Sequence, residues 1–213
     1  MSDYKEFGFG NEEPIYGWKY LRNTLLSLLN KADNLCILDL GCGNGYFVNY
    51  LLSQGFNAYG IDASKQGIAI ANGVNPGRFF VQDLADTQLP EEIRNLPFDT
   101  IISTEVIEHL YNPAAFVDFC KNILSKNNGQ LILSTPYHGY LKNLTLSIFN
   151  KWDFHTHPSV CGGHIKFWSK ETLSRLLKDS GFNVVAFRGC GRIPYLWKSM
   201  IIKSKLGNPQ FKS

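Results

Sequence analysis

Cys36-Ile-Leu-Asp-Leu-Gly-Cys-Gly-Asn-Gly45 is the stretch on which the fold turns. Its first five residues are mostly apolar and too few for a helix, so they read as a buried strand. Three glycines follow at alternate positions, Gly41, Gly43 and Gly45. Lacking a Cβ, they let the backbone turn tightly and approach a ligand closely. The chain from Gly45 to Leu52 then reads as a helix. A strand, a glycine turn and a helix in that order open an α/β unit, in which ligands bind at the carboxyl ends of the strands.

Working outward, the same alternation repeats. Residues 16–31 carry Trp18, Leu21, Leu25 and Leu28 at helical spacing. Asn57 to Asp62 reads as a second strand, followed by a helix that Ser64 can cap. Phe79 to Val81 is a third strand and Phe98 to Ser103 a fourth. Pro113 opens a helix running to Leu124. Gln130 to Ser134, preceded by a turn at Asn127-Asn128-Gly129, is a fifth strand. A helix from Lys170 to Ser180 is closed by Gly181. Asn183 to Phe187, and a segment around Leu196 to Ile202, complete the set. The fold class expected is a doubly wound, mostly parallel sheet with helices on both faces. One domain, 1–213, is expected: an N-terminal helical lid (1–33), a cofactor-binding core (34–136), an irregular substrate-side insertion over the carboxyl edge (137–168), and a C-terminal helix with strands (169–213).

Composition bounds the rest. The chain has 213 residues, 44% hydrophobic and 18% charged, with a net charge of +3. That is globular, and large enough to bury a core. Scattered Lys and Arg argue against a dedicated nucleic-acid surface. Five cysteines with no Cys-x-x-Cys pair point away from disulfides and zinc ribbons and toward a reducing cytoplasm. The polar N-terminus is unlike a signal peptide. No apolar run reaches the roughly 18 residues that span a bilayer. A dinucleotide fingerprint, G-x-G-x-x-G, would need glycine where Tyr46 stands, which disfavours a nicotinamide oxidoreductase.

Asp39-Leu-Gly-Cys-Gly-Asn-Gly45 resembles the first motif of the Rossmann-like S-adenosylmethionine-dependent methyltransferases. Asp62 at the end of the second strand, Gln82-Asp83-Leu84 after the third, and Phe98 to Ser103 followed by Thr104-Glu105 match that family's later motifs. The likeness runs from Asn34 to Phe187. It implies S-adenosyl-L-methionine as cofactor, held by Asp39, Gly41, Cys42, Gly43, Gly45, Asp62, Ala63, Asp83, Leu84 and Thr104. Asp62 would accept the ribose hydroxyls. Asp83 would accept the adenine amino group, unless it is only a helix N-cap, while Leu84 would pack near the ring. Tyr16, Trp18 and Tyr20 either cover the cofactor or serve as ordinary packing.

The chemistry centres on Glu105-Val-Ile-Glu108-His109. On a helical turn, Glu105 shares a face with Glu108 and His109. Two carboxylates and an imidazole suit Mg²⁺, Mn²⁺, Fe²⁺ or Zn²⁺. The stretch is similar to one in ubiquinone-biosynthesis O-methyltransferases and to the metal motif of small-RNA 2′-O-methyltransferases. By that resemblance Glu105, Glu108, His109 and His164 would bind a divalent ion. Metal-free relatives leave the other reading open: Glu105 lines the cofactor pocket, and His109 is the general base. His138 is either an acceptor-side residue or a solvent-facing loop histidine; His155 and His157, spaced i,i+2, either contact substrate or lie at the surface, or clamp a metal if the chain is extended there. The expected function is O-methylation of a small molecule, a quinol or phenol, sugar or lipid-linked acceptor. The alternatives are RNA 2′-O-methylation with a metal, and cofactor binding without catalysis.

Overall fold

The computed structural model describes residues 8–14, 18–86, 88–124, 129–156, 158–159 and 163–207. Tyr16, His157, Cys161 and the Asn127-Asn128 part of the expected turn lie outside the described residues. The elements run α1 (Trp18–Ser27), β1 (Ile37–Leu40), α2 (Tyr46–Ser53), β2 (Ala58–Asp62), α3 (Lys65–Val74), β3 (Phe79–Val81), β4 (Thr100–Thr104), α4 (Pro113–Leu124), β5 (Gln130–Pro136), α5 (Tyr140–Ile148), α6 (Trp152–Thr156), α7 (Lys170–Asp179), β6 (Phe182–Cys190) and β7 (Ser199–Leu206).

The strands form one sheet in the order β3-β2-β1-β4-β5-β7-β6. All neighbours are parallel except at β7, which runs antiparallel to both β5 and β6. Central strands β1 and β5 are buried at every position, as a sheet covered on both faces requires. Alternate residues feed two cores. Leu38, Leu40, Ile101, Leu131 and Leu133 meet Val117 and Cys120 of α4 and Leu173 and Leu177 of α7 on one face. Ile37, Ile102 and Ile132 meet Leu21 and Leu25 of α1, Phe47 and Leu51 of α2, and Ile68 and Ala71 of α3 on the other. Ser64 caps α3 by accepting from the Gly67 N–H.

Four expectations are corrected. The first helix ends at Ser27, well before Lys31. Asn30 to Asn34 fold back on themselves, with Asn34 Oδ1 accepting from the Asn30 N–H and Asn30 Oδ1 from the Ala32 N–H, a local competitor to helix. The last strand starts at Ser199, because Leu196 and Trp197 belong to the turn that brings the Lys198 N–H to the Cys190 carbonyl. The 137–168 segment is not irregular throughout: it contains α5 and α6. Its helical periodicity is not of the core-facing kind: α5 buries one residue, Leu146, and turns its other apolar residues outward. Finally, Glu105 does not belong to a helical turn. Its φ is 54°, and the turn that follows is a short 3₁₀ segment, Ile107–His109.

Candidate functional site

The glycine loop after β1 is built as the spacing requires. Gly41, Gly43 and Gly45 have φ of 82°, 57° and 74°, in the left-handed region that favours glycine. The Gly41 and Cys42 N–H groups donate to the Ile61 carbonyl at 2.9 and 3.0 Å, tying the loop to the end of β2. A Cβ on Gly45 would overlap Ala71 and Phe79, so this glycine also closes the contact between loop and α3.

Asp62 lies beside the loop. Its Oδ2 accepts from the Gly43 N–H and its Oδ1 from the Ser64 N–H, both at 2.8 Å. Two backbone donors fix the carboxylate and leave further lone pairs for hydroxyls. Asp39 is buried, and its Oδ1 has no hydrogen-bond partner among the described residues. Burial, with the Asp62 carboxylate adding to it, pushes the Asp39 pKa up to about 8. A buried carboxyl with an unmatched oxygen, next to a backbone cradle that side chains would fill, fits a cofactor carrying an ammonium group and ribose hydroxyls. Burial holds the Cys42 thiol protonated. Ala63 is half-buried between Asp62 and the capping Ser64.

Asp83 is not a helix cap. Its Oδ1 accepts from the Ala85 N–H at 3.0 Å in a tight turn after β3. Leu84 packs against the core from that turn. Thr104 ends β4 opposite Ser134. Val106 meets the position a Gly41 Cβ would take, so the loop after β4 abuts the glycine loop.

Two pieces of this half escaped the sequence reading. Phe9 is buried with its ring against Gly43, and Asn44 Nδ2 donates to the Asn11 and Glu13 carbonyls at 2.8 Å. The N-terminal segment therefore lies on the loop. A buried Asn inside the glycine run was the available signal. Trp18 stacks on Phe47 with ring centres 4.8 Å apart, and Tyr20 joins the same core, so both act in packing.

The left-handed turn at Glu105 separates the three residues that a helix would have aligned. Glu105 Oε1 accepts from the Ser134 hydroxyl at 2.8 Å and Oε2 from the Ser199 hydroxyl at 3.1 Å. Burial raises its pKa to about 7 against the pull of those hydroxyls. Glu108 points elsewhere and meets His109 and His164. One ligand-type atom from each of these three lies within 4.8 Å of the others. Glu105 is not in that group. The assembly is held by backbone: the Glu108 carbonyl accepts from both the Ile165 and Lys166 N–H groups at 3.0 Å. His109 Nδ1 lies 3.3 Å from the Gly163 carbonyl, and its Nε2 3.9 Å from Glu108 Oε1. Burial, then the nearby Glu105, raises the Glu108 pKa well above the carboxylate range.

Beyond this cluster the imidazoles continue in a row. The His109 and His164 rings are 5.1 Å apart, His164 and His155 6.4 Å, and His155 and His138 5.0 Å. His138 is buried, lies parallel to Trp152 and edge-on to Phe167, and burial lowers its pKa. One-dimensional spacing gave no sign of this row, because its members come from four separate segments.

Residues 15–186 match the model of a family described as a methyltransferase domain. The chain belongs to that methyltransferase family. It is 31% identical over 186 residues to the ubiquinone biosynthesis O-methyltransferase of Rickettsia felis, covering 86% of this chain and 75% of the relative. The enzyme of the same name from Rickettsia canadensis is 27% identical over 172 residues, covering 80% and 72%. Among solved structures, a Haloferax volcanii putative methyltransferase bound to the activator Trm112 superposes with a TM-score of 0.70 at 16% identity, covering 91% of this chain and 90% of that one. The magnesium protoporphyrin IX methyltransferase of Synechocystis, solved with S-adenosylhomocysteine, gives 0.64 at 21%, covering 92% and 90%. This methyltransferase shares their fold, and it is an S-adenosylmethionine-dependent enzyme.

Proposed function

We propose that this methyltransferase methylates a hydroxyl of a small molecule, a quinol or phenol, sugar or lipid-linked acceptor. The observation that carries the reading is the cluster of Glu108, His109 and His164 at the carboxyl end of β4, next to the loop that abuts the glycine cradle. The relatedness to ubiquinone biosynthesis O-methyltransferases supports it.

Asp39, Gly41, Cys42, Gly43, Gly45, Asp62, Ala63, Asp83, Leu84 and Thr104 would hold the cofactor, with Asp62 on the ribose hydroxyls and Asp83 on the adenine amine. S-adenosylmethionine supplies a methyl group already attached to a good leaving group. The protein must align the acceptor oxygen, and alignment is worth roughly 7–11 kcal/mol. His109, beside Glu108, takes the acceptor's proton, and such help is typically about 10²–10⁴-fold. Glu105 orders the turn that carries His109, through Ser134 and Ser199. Its hydrogen-bonding oxygens point it toward that positioning role and away from ligation.

The set Glu108, His109 and His164 also fits a divalent ion of the Mg²⁺, Mn²⁺ or Zn²⁺ kind, because both Glu108 oxygens are buried without a well-formed hydrogen bond. Bound there, such an ion would act as a Lewis acid toward the acceptor hydroxyl. The domain is proposed as a single unit, with 34–136 carrying the cofactor and 137–168 the acceptor side.

The test is a methyl-transfer screen over quinols, catechols, sugar nucleotides, lipid-linked phenols and short RNAs, with and without chelator. Transfer to a small hydroxyl acceptor, lost in His109→Ala, is expected. Transfer to RNA alone would overturn the reading. Chelator-resistant turnover would select His109 as a metal-free base.

A further inference from the structure

Soluble proteins scatter exposed apolar side chains; here they are gathered. Among the described residues, sixteen large apolar side chains are exposed, and eleven belong to the connections at the carboxyl edge of the sheet. These are Tyr111 after the 3₁₀ turn, members of α5 and α6, Ile165 and Phe167 ahead of α7, and Ile193 and Tyr195 between β6 and β7.

Helix α5 shows the arrangement most clearly. At 3.6 residues per turn, Tyr140, Leu141, Leu144 and Ile148 fall within an arc of about 100°. Leu146, its one buried residue, points the opposite way. Phe149 and Phe154 extend the exposed stripe into α6, at 66% and 78% exposure. The helix is fixed in this attitude, because Lys142 Nζ donates to the Trp197 carbonyl at 2.8 Å and ties α5 to the β6–β7 turn. An amphipathic helix that shows its apolar face to water is inverted relative to a core-packing helix.

Charge follows the same division. Residues 1–136 carry nine Lys and Arg against fifteen Asp and Glu, whereas residues 137–213 carry twelve against three. Lys151 and Arg192 stand exposed in the segments that carry the apolar rim, and Lys166 is half-exposed. Asp153 is the one acid between Tyr137 and Lys170. Aliphatic side chains flanked by cations complement a surface with an anionic exterior and a hydrocarbon interior. Nucleic acid would be served by cations and stacking rings, not by Leu141, Leu144 and Ile148.

We propose that this carboxyl-edge rim, centred on α5 and α6, docks on an anionic lipid surface. The docking proposed is peripheral; none of the helices in the described residues is long and apolar enough to cross a membrane. The row of imidazoles lies behind the same rim. Resting on the small-molecule reading above, docking would open the acceptor side toward the bilayer, where a lipophilic hydroxyl compound dissolves.

The test is flotation of the full chain, with S-adenosylhomocysteine present, on phosphatidylcholine vesicles made with and without phosphatidylglycerol. Co-flotation that needs phosphatidylglycerol and weakens with salt is expected. Ile148→Ser should lower partitioning about tenfold or more, as loss of a buried aliphatic side chain predicts. Lys151→Gln should lower it about fivefold. Both variants should keep the parent's melting temperature and calorimetric affinity for S-adenosylhomocysteine. If Ile148→Ser does not fold, Leu144→Gln takes its place. Failure to float, flotation indifferent to phosphatidylglycerol, or variants that float like the parent would overturn the proposal. So would a solution dimer that Ile148→Ser splits, or RNA retention that the same substitution abolishes. No turnover is measured, so loss of the acceptor reading leaves this result standing.

Discussion

The half of the molecule before Glu105 and the half after it hold their functional groups by different means. Asp62 is fixed by two backbone N–H groups, the glycine loop by the Ile61 carbonyl, and Asp83 by the turn it starts. Each of these anchors is a main-chain group within a few residues or on an adjacent strand. Beyond Glu105 the candidate groups are imidazoles and rings from four segments: backbone bonds join the Glu108 turn to the chain before α7, and past that joint the rings pack on one another. A site made from main chain serves a constant ligand. A site made from side chains on short helices can change with its acceptor while the sheet stays the same.

The sharpest way to break this comparison is at His109. His109→Ala should lower kcat about 10²–10⁴-fold and leave S-adenosylhomocysteine affinity intact, by steady-state kinetics and calorimetry. A fully active variant would leave alignment as the main contribution of the second half. Next in size, Asp62→Ala should weaken the cofactor by about 1.5–3 kcal/mol, the cost of losing hydrogen bonds to a charged group. Unchanged calorimetric affinity would remove Asp62 from the ribose.

Gly45→Ala probes the backbone character of the first half. Positive φ and overlap with Ala71 and Phe79 should cost about 1–3 kcal/mol in urea unfolding. A stable Gly45→Ala protein would mean that the loop can shift away from α3.

A pH experiment separates the halves differently. The folded-state pKa of Asp39 is raised from 3.8 to about 8, so the folded protein keeps a proton that the unfolded chain releases. Its contribution to stability is full below about pH 4 and is lost as pH rises through about 8. Cofactor-free protein should show urea midpoints that decline across that window, and Asp39→Asn should flatten the decline. A profile identical in the variant would show that Asp39 titrates normally. The smallest effect is expected at Asp83: Asp83→Ala should cost about 0.5–1.5 kcal/mol of cofactor affinity, less than Asp62→Ala. The reverse order would exchange the two assignments.

These differences also govern what could be read from sequence. The alternation of strands and helices, the glycine turn, the Ser64 cap and the Gly181 stop follow from local rules of periodicity and turn chemistry, and they are legible residue by residue; the order of the strands in the sheet is not a local property. Glu105 was misplaced because nothing local signals that a Glu will take φ of 54°. That conformation is held from a distance, by Ser134 and Ser199 on β5 and β7. The same holds for His138 and His155, whose neighbours are set by the packing of α5, α6 and the chain before α7. In α5 the apolar stripe faces outward, so the periodicity that marks a core-facing helix does not mark it.

The Glu108 carbonyl, shared by the Ile165 and Lys166 N–H groups, has a consequence for exchange between relatives. It makes the chain before α7 part of the 3₁₀ turn's own hydrogen-bonding. Transplanting 137–168 alone would bring in a segment cut to another protein's turn, while transplanting 105–109 with it would carry both sides of the joint. If the acceptor side is as proposed, its unit of inheritance is discontinuous: two pieces of chain, more than fifty residues apart at the joint, that must travel together.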